Sequence, residues 1–554
     1  QLSSCETAFG FLTYEAGYAF EKKLNKFLSS ENDQLAYFSF YKEENVKKIH
    51  SSEIDISFDF QNDFNISSFQ VDTSFSEYQK AVEKIKCFIS EGDTYQVNYT
   101  IKAKFNFKGS PAALFKQIIF NQSAEYTALF NTGKNLIISV SPELFLEIKE
   151  KKITAKPMKG TSSRGINIES DKDQQLFLIN SKKDRAENLM IVDLLRNDLG
   201  KISTFGSVKL KSLFDIEKYE TLFQMTSEIE GELNEEIKFS DVIKNIYPCG
   251  SVTGAPKIRT MEIIHELEKE KRKVYTGGIG YIKKNETKFN VAIRTIVLDQ
   301  REGSGELGIG SGVVWDSNPQ NEYRELQLKS RFLTQPAESF ELFETMKVKS
   351  SVIPLLNKHL NRLKNAADFF LFLFNEEKIK CLIREKILEL DPHLKYRLKI
   401  KLSKYGKVNI ELSEYPMLPD KIKVILSDKK INSEDPFRYF KTTNRKLYDE
   451  EYLNYSNQGF FDVIFRNEKG QITEGSRTNI FIKKNNRWYT PPVEAGILNG
   501  IYRAYLLKRD KNIIEKNLFE EDFNEAEEIK VTNALRGEVK VNKLYLNRFK
   551  FKEY

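Results

Sequence analysis

Apolar residues recur along the chain with two periods, one typical of helices and the other of strands. Residues 76–92 (SEYQKAVEKIKCFISEG) repeat every three to four positions, which predicts an amphipathic helix ended by Gly92. Residues 94–107 (TYQVNYTIKAKFNF) alternate, which predicts a strand. Residues 185–200 (RAENLMIVDLLRNDLG) are apolar enough to predict a nearly buried helix capped by Gly200. Helices and strands therefore interleave, which predicts an α+β or α/β fold.

The pattern breaks at two places. Residues 62–75 (NDFNISSFQVDTSF) are polar, and we interpret them as a linker. A new run of strand, hairpin and helix begins after 334–340 (TQPAESF), and we find no repeat between the two halves. We therefore predict two domains, 1–334 and 335–554. Because the sequence opens QLSSCETAFG without an initiator Met, we expect a fragment or a trimmed product whose first domain is truncated at its N-terminus.

Composition excludes several classes of protein. The 554 residues are 40% hydrophobic and 30% charged, which argues against global disorder. No apolar run reaches the ~18 residues of a membrane span. The net charge of +7 comes from interspersed basic and acidic residues, which favours a lysine-rich surface over a nucleic-acid partner. Four scattered cysteines without a CxxC motif favour a reduced, cytoplasmic protein without a zinc site.

Two predicted helix starts each carry a pair of acidic residues. Asp184 and Glu187 are three positions apart, as are Glu322 and Glu325, so each pair shares one helical face. Acidic residues at a helix N-terminus are often only solvated partners of the helix dipole. Alternatively, the two faces converge on one hard cation such as Mg²⁺, which prefers oxygen ligands.

Glycine-bearing segments form a second group of candidates. The stretches CGSVTGAPK (249–257) and GIGSGVV (308–314) would bring backbone N–H groups close to an anion, and PMKGT (157–161) places Lys159 beside a predicted turn. Each signal is weak alone, because glycine usually only makes turns and a lone lysine usually lies on the surface.

In combination, the motifs of the first half are specific enough to indicate a protein family. In chain order they are YQVN (95–98), SPELF (141–145), PMKGT, DRAENLMIVDLLRNDLG (184–200), CGSVTGAPK, YTGGIGY (275–281), AIRT (292–295) and GSGVVWDSNPQNEYRE (310–325). This set resembles the chorismate-utilising enzymes over about residues 80–334. The resemblance implies a fold of large β-sheets layered with helices.

The same resemblance implies roles for individual residues. It places Mg²⁺ on Glu187 and Glu325 with Asp184 and Glu322 auxiliary, and the general acid on Glu143. For substrate binding it implies Tyr275, Arg294, Thr161 and the turns at Gly254 and at Gly310 and Gly312.

Lys159 separates the members of this family. Members that make anthranilate resemble P-I-A-G-T at this point, whereas those that aminate C4 of chorismate carry a lysine, thought to attack C2. Gln224 stands where anthranilate-forming members have a histidine. No glutaminase motif is present, since Cys249 lies inside the glycine-bearing stretch, so ammonia is expected from a separate class I glutaminase.

The second half carries HLNRL (359–363), KTTNRKLYDE (441–450), TEGSRTNIF (473–481), AGILNGIYR (495–503) and VTNALRG (531–537). These motifs resemble the fold-type IV pyridoxal-phosphate (PLP) enzymes, a D-amino-acid aminotransferase-like fold. By resemblance Lys441 is the Schiff-base lysine, with Lys446 as a rival, Glu474 is the pyridine partner and Thr345 lies near the substrate. The phosphate would be held by Arg362, Gly500, Ile501, Thr532 and Asn533.

Taken together, the two resemblances imply consecutive steps from chorismate to 4-aminobenzoate, with Mg²⁺ and PLP as cofactors and a homodimer through the second domain. An anthranilate-forming domain fused to an aminotransferase is the alternative, and Lys159 argues against it. A scaffold protein with decayed sites is a third interpretation, and the intact set of acids and lysines argues against that one.

Overall fold

The protein was studied as a computed structural model that describes residues 6–28, 34–49, 63–335, 338–547 and 550–554. The chain divides into two compact units. Unit 1 comprises 1–164 and 173–337, and unit 2 comprises 165–172 and 338–554. Within the described ranges, no helix is both long and apolar enough to cross a membrane.

The strands up to residue 335 are β1 (Glu6–Leu12), β2 (Ala36–Lys42), β3 (Phe64–Val71), β4 (Gln96–Gly109), β5 (Tyr126–Asn131), β6 (Asn135–Ser141), β7 (Leu144–Lys149), β8 (Lys152–Lys156), β9 (Met158–Ser163), β10 (Lys209–Lys218), β11 (Leu222–Glu232), β12 (Gly254–Ala255), β13 (Gly278–Ile282), β14 (Glu286–Val291), β15 (Thr295–Asp299) and β16 (Ser304–Val313). The helices are α1 (Ala16–Phe20), α2 (Phe75–Ser90), α3 (Pro111–Asn121), α4 (Ile168–Asn180), α5 (Lys182–Gly200), α6 (Phe239–Ile246), α7 (Lys257–Leu267) and α8 (Pro319–Thr334).

Two sheets organise unit 1. One runs β10-β11-β8-β7-β14-β13-β1-β2, with β9 also paired to β11, and the other runs β12-β4-β16-β15-β6-β5, with β3 on β4. Helices α2, α7 and α8 bury apolar residues against the sheet that contains β4. Helices α5 and α6 do the same against the sheet that contains β7. Each sheet is therefore layered with helices, as predicted.

Beyond residue 340 the strands are β17 (Leu342–Lys349), β18 (Lys395–Leu402), β19 (Val408–Glu414), β20 (Lys423–Ile431), β21 (Asp462–Asn467), β22 (Ile472–Gly475), β23 (Asn479–Lys484), β24 (Arg487–Thr490), β25 (Ile513–Glu515), β26 (Glu528–Asn533), β27 (Gly537–Lys540), β28 (Lys543–Tyr545) and β29 (Phe551–Glu553). The helices are α9 (Leu356–Phe370), α10 (Glu376–Leu388), α11 (Lys446–Ser456), α12 (Ile501–Arg509) and α13 (Glu520–Glu525).

Unit 2 contains three sheets among its described residues. Strands β17-β18-β19 form an antiparallel sheet covered by α9 and α10. The other two run β22-β21-β20-β28-β29 and β25-β24-β23-β26-β27, and the core between them is built from β20, β23 and β26.

The predicted linker at 62–75 is wrong. Residues Phe64–Val71 form β3, which pairs antiparallel with β4 from Phe64 opposite Gly109 to Val71 opposite Ala103. The pairing has a register shift between Ser67 and Gln70, and Ser68 has φ +54°. The irregular strand lies at an edge and is only half-buried, which explains its polar composition.

Two further local predictions are corrected. Helix α5 is amphipathic rather than nearly buried, because Ile191, Val192, Leu195 and Leu199 face the core while Leu189 is 44% exposed. It ends at Gly200 as its last helical residue, followed by a cap at Lys201 in right-handed conformation.

The predicted glycine turn at 310–312 is a strand. Gly310 lies opposite Thr100 and Gly312 opposite Asn98 in the pairing of β16 with β4. The segment around Lys159 is likewise a strand, β9, rather than a turn.

Candidate active sites

Glu143 lies in the connection between β6 and β7 and is buried. The Ser251 hydroxyl donates a hydrogen bond to its Oε1 over 2.5 Å. Burial raises the pKa of Glu143 to about 7, although the Ser251 hydrogen bond and the positive charge of Lys159 both oppose that rise. A carboxyl group that is partly protonated near neutral pH suits a proton donor.

Lys159 lies on β9, one residue before Gly160, whose φ is +93°. A Cβ at Gly160 would lie 2.8 Å from the Cβ of Asp184, so only glycine lets β9 approach α5 this closely. Burial lowers the pKa of Lys159, while the nearby carboxylates, first of all that of Glu187, oppose the decrease. A lysine held this way is closer to its neutral, nucleophilic form than a surface lysine.

The two predicted metal ligands lie on α5 and α8. Burial raises the pKa of Glu187, and its ion pair with Lys183 is long at 3.9 Å. The pKa of Glu325 is lowered despite burial, because the Lys329 ammonium lies 2.8 Å away. Lys159 influences both carboxyl groups, so it shares one electrostatic environment with them.

The two auxiliary acids have local structural partners. Asp184 accepts a hydrogen bond from Ser181, which caps α5. Glu322 accepts one from the Ser317 hydroxyl at 2.9 Å, in the turn that begins α8. The charges of Asp184 and Glu322 also raise the pKa of Glu187.

The donor set fits a magnesium ion that completes its coordination with substrate or water. Among the described residues, no group of three or more Asp, Glu, His or Cys side chains could hold a metal ion. Mg²⁺ is usually held by one or two carboxylates plus other oxygens rather than by a complete protein cage. Glu187 and Glu325, which both lie within the electrostatic influence of Lys159 and Lys183, are the two carboxylates that could contribute to such a site.

Glycines on β16 make room for two site residues. A Cβ at Gly308 would lie 2.1 Å from the ring of Tyr275, and one at Gly310 would lie 3.3 Å from its hydroxyl oxygen. A Cβ at Gly312 would lie 3.0 Å from Lys159 Nζ. Because these glycines have no side chains, Tyr275 and Lys159 can both pack against β16.

Gly254 has a different role. Its φ is +142°, and a Cβ there would lie 2.0 Å from the carbonyl oxygen of Gln96, so the β12–β4 contact requires glycine.

Arg294 and Thr161 lie in contacts that the sequence did not predict. Arg294 donates to Gln122 Oε1 over 2.9 Å, and no hydrogen bond between described residues joins it to Tyr275. Burial lowers the pKa of Arg294. The Thr161 hydroxyl donates to Gln224 Oε1 over 3.1 Å, so the glutamine at the family's histidine position is tied to β9.

Two residues of the first site were not identified as candidates from the sequence, although both lie within its motifs. Ser251, in CGSVTGAPK, holds Glu143. Gln96, in YQVN, is fully buried and neither polar atom of its side chain has a hydrogen-bond partner. The available signal was that Ser251 and Gln96 are polar residues within motifs. Their burial and their hydrogen-bond partners depend on the tertiary structure.

The second candidate site is a cavity of about 570 Å³ in unit 2. Lys441 lines it, and burial lowers the pKa of this lysine to about 7, helped by the positive charges of Arg362 and Arg445. The rival Lys446 is the first residue of α11, with a side chain that is 83% exposed and 3.9 Å from Glu450. Of these two lysines, only Lys441 lines the cavity and has a lowered pKa.

Glu474 is a buried acid in the lining of this cavity. Burial raises its pKa to about 7, against the effect of the hydrogen bond from the Leu498 backbone N–H. That N–H donates to Oε1 over 3.2 Å, and Asn479 Nδ2 donates to Oε2 over 3.2 Å. The carboxyl group is thus fixed in orientation and able to share a proton with a ring nitrogen.

Arg362 is held by a buried carboxylate. Its Nε and Nη2 donate to the two oxygens of Glu344 over 2.7 and 2.8 Å, and His359 Nδ1 lies 2.7 Å from the same carboxylate. Against the cost of burial, these contacts lower the pKa of Glu344 to about 2. Glu344 therefore fixes the guanidinium of Arg362 at the cavity wall.

The remaining predicted phosphate residues surround the start of α12. Gly500 is its N-cap and Ile501 its first residue. A Cβ at Gly500 would lie 1.9 Å from Asn479 Oδ1, so a side chain is excluded there. The Thr532 hydroxyl is buried without a hydrogen-bond partner, whereas the side chain of Asn533 contacts neighbouring backbone groups.

Thr345 lies on β17 directly opposite Lys399 on β18, and both line the cavity. The cavity thus combines a lysine of lowered pKa, a buried acid, an arginine, a helix N-terminus and an unpartnered hydroxyl. This donor set fits PLP, whose phosphate, ring nitrogen and aldehyde need those groups.

Two family models match the chain. The family model described as chorismate binding enzyme matches residues 1–335, and that described as amino-transferase class IV matches residues 341–544. Aminodeoxychorismate synthase component 1 of Bacillus subtilis is 40% identical over 269 residues, covering 48% of this chain and 57% of that protein. Anthranilate synthase component 1 of Cereibacter sphaeroides is 38% identical over 268 residues, covering 48% of this chain and 53% of that protein.

A solved structure is also similar to this chain. The anthranilate synthase component I of Streptococcus pneumoniae matches with a TM-score of 0.50 and 26% identity, covering 60% of this chain and 82% of that one. The chain spans about half the length of the curated relatives it matches.

Proposed function

The chain belongs to the chorismate binding enzymes and also contains an amino-transferase class IV domain, and on that premise we propose that it catalyses two consecutive steps to 4-aminobenzoate. In the first step, chorismate and ammonia would give 4-amino-4-deoxychorismate and water. In the second, 4-amino-4-deoxychorismate would give 4-aminobenzoate and pyruvate. The product of unit 1 would thus be the substrate of unit 2.

The observation that supports this choice is Lys159. Relatives named for either synthase match the chain almost equally well, so overall similarity does not choose between them. Lys159 is positioned beside Glu143 and Glu187, and burial lowers its pKa. A lysine poised as a nucleophile is the feature that the C4-aminating branch of the family requires.

In unit 1, four side chains would have separate roles in catalysis. Lys159 would attack C2 of chorismate, and Glu143 would protonate the hydroxyl that leaves C4. Ammonia would then enter at C4, and the C2–N bond to Lys159 would break. Glu187 and Glu325 would hold Mg²⁺, which would supply positive charge against a substrate carboxylate.

In unit 2, PLP when bound would withdraw electrons from the carbon that loses its proton. Lys441 would remove the C4 proton, because its lowered pKa leaves much of the amine neutral at pH 7. Glu474 would hold a proton at the ring nitrogen, and Arg362, Gly500, Ile501 and Thr532 would hold the phosphate.

Ammonia would come from a separate glutaminase. Cys249, which lies in the segment that holds Glu143, is buried, and burial raises the pKa of its thiol to about 12, so it is not a nucleophile at neutral pH. Free ammonium should replace the partner. We also propose that unit 2 forms a homodimer, the arrangement common in fold-type IV enzymes.

A second candidate function is favoured by the 38% identity to an anthranilate synthase component. In that case unit 1 would make anthranilate and unit 2 would be an aminotransferase. The position of Lys159 argues against it.

Product analysis tests the proposal. The full chain is incubated with chorismate, ammonium, Mg²⁺ and PLP, and the aromatic product and pyruvate are quantified. We expect 4-aminobenzoate and pyruvate in equal amounts, and an accumulating amino intermediate when PLP is omitted. Anthranilate, or no aromatic product in the complete mixture, would overturn the proposal.

A further inference from the structure

The cavity around Lys441 has more positive charge than its proposed cofactor needs. Eight basic and three acidic side chains line it. The basic ones are Arg362, Arg397, Lys399, Arg438, Lys441, Arg445, Arg477 and Arg536. A phosphate group brings about two negative charges. The excess indicates that an anionic substrate also enters the cavity.

Three of the six arginines that line the cavity are already paired with carboxylates. These pairs are Arg362 with Glu344, Arg438 with Asp435 and Arg445 with Asp449. Arg477 and Arg536 form no ion pair with any residue that the structure describes. The Nη1 atom of Arg536 is also buried without a hydrogen-bond partner, a costly state unless a ligand supplies the acceptor. Arg397 also lines the cavity without an ion pair to any described residue, but it lacks the link through Asn533 that joins Arg477 to Arg536.

One side chain, that of Asn533, links the backbone of Arg477 to that of Arg536. Asn533 Nδ2 donates to the carbonyl oxygen of Arg477 over 3.3 Å, and Asn533 Oδ1 accepts from the backbone N–H of Arg536 over 2.9 Å. Each guanidinium also lies over an aromatic ring: Cζ of Arg477 is 3.4 Å from the ring centroid of Tyr452, and Cζ of Arg536 is 5.0 Å from that of Phe461. Stacking orients the planar groups so that their edges can donate hydrogen bonds.

The nearest acid does not neutralise this pair. Asp462 is buried, and its Oδ2 accepts from the Thr478 hydroxyl over 2.6 Å while Oδ1 accepts from Ser476. Its carboxylate is therefore occupied with the loop that carries Arg477. The two guanidinium groups remain available to a ligand.

We propose that Arg477 and Arg536 select a dicarboxylate substrate by binding its carboxylates. The inference rests on the proposed function, in which the substrate of unit 2 carries one carboxylate on the ring and one on the enolpyruvyl group. Arginine binds a carboxylate through two parallel hydrogen bonds, so each guanidinium suits one such group. An amino acid with a single carboxylate would leave one guanidinium unpaired and would bind less tightly.

Binding without turnover provides the first test. The PLP-loaded full chain is titrated calorimetrically with benzene-1,3-dicarboxylate and with benzoate. We expect the wild type to prefer the dicarboxylate, and Arg477→Gln and Arg536→Gln each to lose about 10- to 100-fold in dicarboxylate affinity. Arg487→Gln is the matched control, because Arg487 is exposed on β24 and outside the cavity lining, and it should change nothing.

Steady-state kinetics provide the second test. With 4-amino-4-deoxychorismate as substrate, both variants should raise KM about 10- to 100-fold while kcat and the cofactor absorbance stay near wild type. Unchanged KM together with unchanged dicarboxylate binding would overturn the inference. Loss of PLP at unchanged KM would also overturn it, because it would assign the arginines to the cofactor phosphate. Failure of the wild type to release pyruvate would instead refute the proposed function, and the calorimetric result does not depend on that outcome.

Discussion

Removing the Ser251 hydroxyl should raise the pKa of Glu143. The Ser251 Oγ–H donates to Glu143 Oε1 over 2.5 Å, and both side chains are buried. A hydrogen-bond donor stabilises the charged carboxylate more than the neutral acid, so its loss favours protonation. In Ser251→Ala the pKa of Glu143 should therefore move above its value of about 7.

The size of the change follows from the strength of the lost bond. A hydrogen bond to a charged group contributes about 1.5–3 kcal/mol. Since one pKa unit corresponds to about 1.4 kcal/mol, the pKa should rise by about one to two pH units. Glu143 acts as a proton donor in the proposed mechanism, so the alkaline limb of the rate profile should move upward by the same amount.

The assay is kcat/KM for chorismate between pH 6 and 10 at a constant concentration of free ammonia. Ser203→Ala is the matched control, because the Ser203 hydroxyl is buried in the same unit but has no hydrogen-bond partner. Ser203→Ala should leave the pH–rate profile unchanged. Ser251→Thr keeps a hydroxyl at this position, so its profile should match that of the wild type. An unmoved or lowered alkaline limb in Ser251→Ala would refute the reasoning.

Three further predictions concern both units. Lys159→Ala removes the proposed nucleophile, so C4 amination should fall by at least about 10³-fold while Mg²⁺ binding persists, and unchanged amination would exclude a covalent role. Glu187→Gln should lower amination by orders of magnitude but leave pyruvate release from supplied 4-amino-4-deoxychorismate intact, and equal loss of both activities would show a structural role. The pKa of Glu344 is lowered from 4.5 to about 2, so the ionised group stabilises unit 2 above pH 4.5 and that contribution is lost as the pH falls towards 2. Glu344→Gln should therefore lower the free energy of unfolding of unit 2 by about 3 kcal/mol at pH 7, and by progressively less below pH 4.5. The free energy is measured by urea unfolding, followed through Trp488 fluorescence in a Trp315→Phe background. An equal loss of stability at pH 7 and pH 3 would contradict the assignment.

Strong periodicity predicted the long elements well. The helix at 76–92 is α2, with Ser74 and Glu77 forming a capping box, and the alternating strand at 94–107 is β4. These elements bury one continuous apolar face, so their pattern is visible in the sequence alone. Edge strands and half-buried strands were harder to predict from the sequence. Strand β3 is an example, because a strand with one neighbouring strand and a solvent-exposed face has a polar composition similar to that of a loop.

Candidate site residues could be named from the sequence, but the geometry around them could not be predicted. The glycines at 310 and 312 were expected in a turn, yet they lie in β16, where the missing side chains leave room for Tyr275 and Lys159. Such room depends on strands that are distant in sequence. The hydrogen bonds from Ser251 to Glu143 and from Asn533 to the carbonyl oxygen of Arg477 likewise join residues that no local pattern relates.

The most direct test of consecutive catalysis is the fate of chorismate in Lys441→Ala. This variant keeps the side chains of unit 1 but loses the amine proposed to bind PLP and remove the C4 proton. Supplied with chorismate, ammonium, Mg²⁺ and PLP, it should consume chorismate, accumulate 4-amino-4-deoxychorismate and release no pyruvate. Adding a separate aminodeoxychorismate lyase should then convert the intermediate into 4-aminobenzoate. Normal pyruvate release by Lys441→Ala, or attachment of borohydride-reduced cofactor to Lys446 in the wild type, would contradict the account.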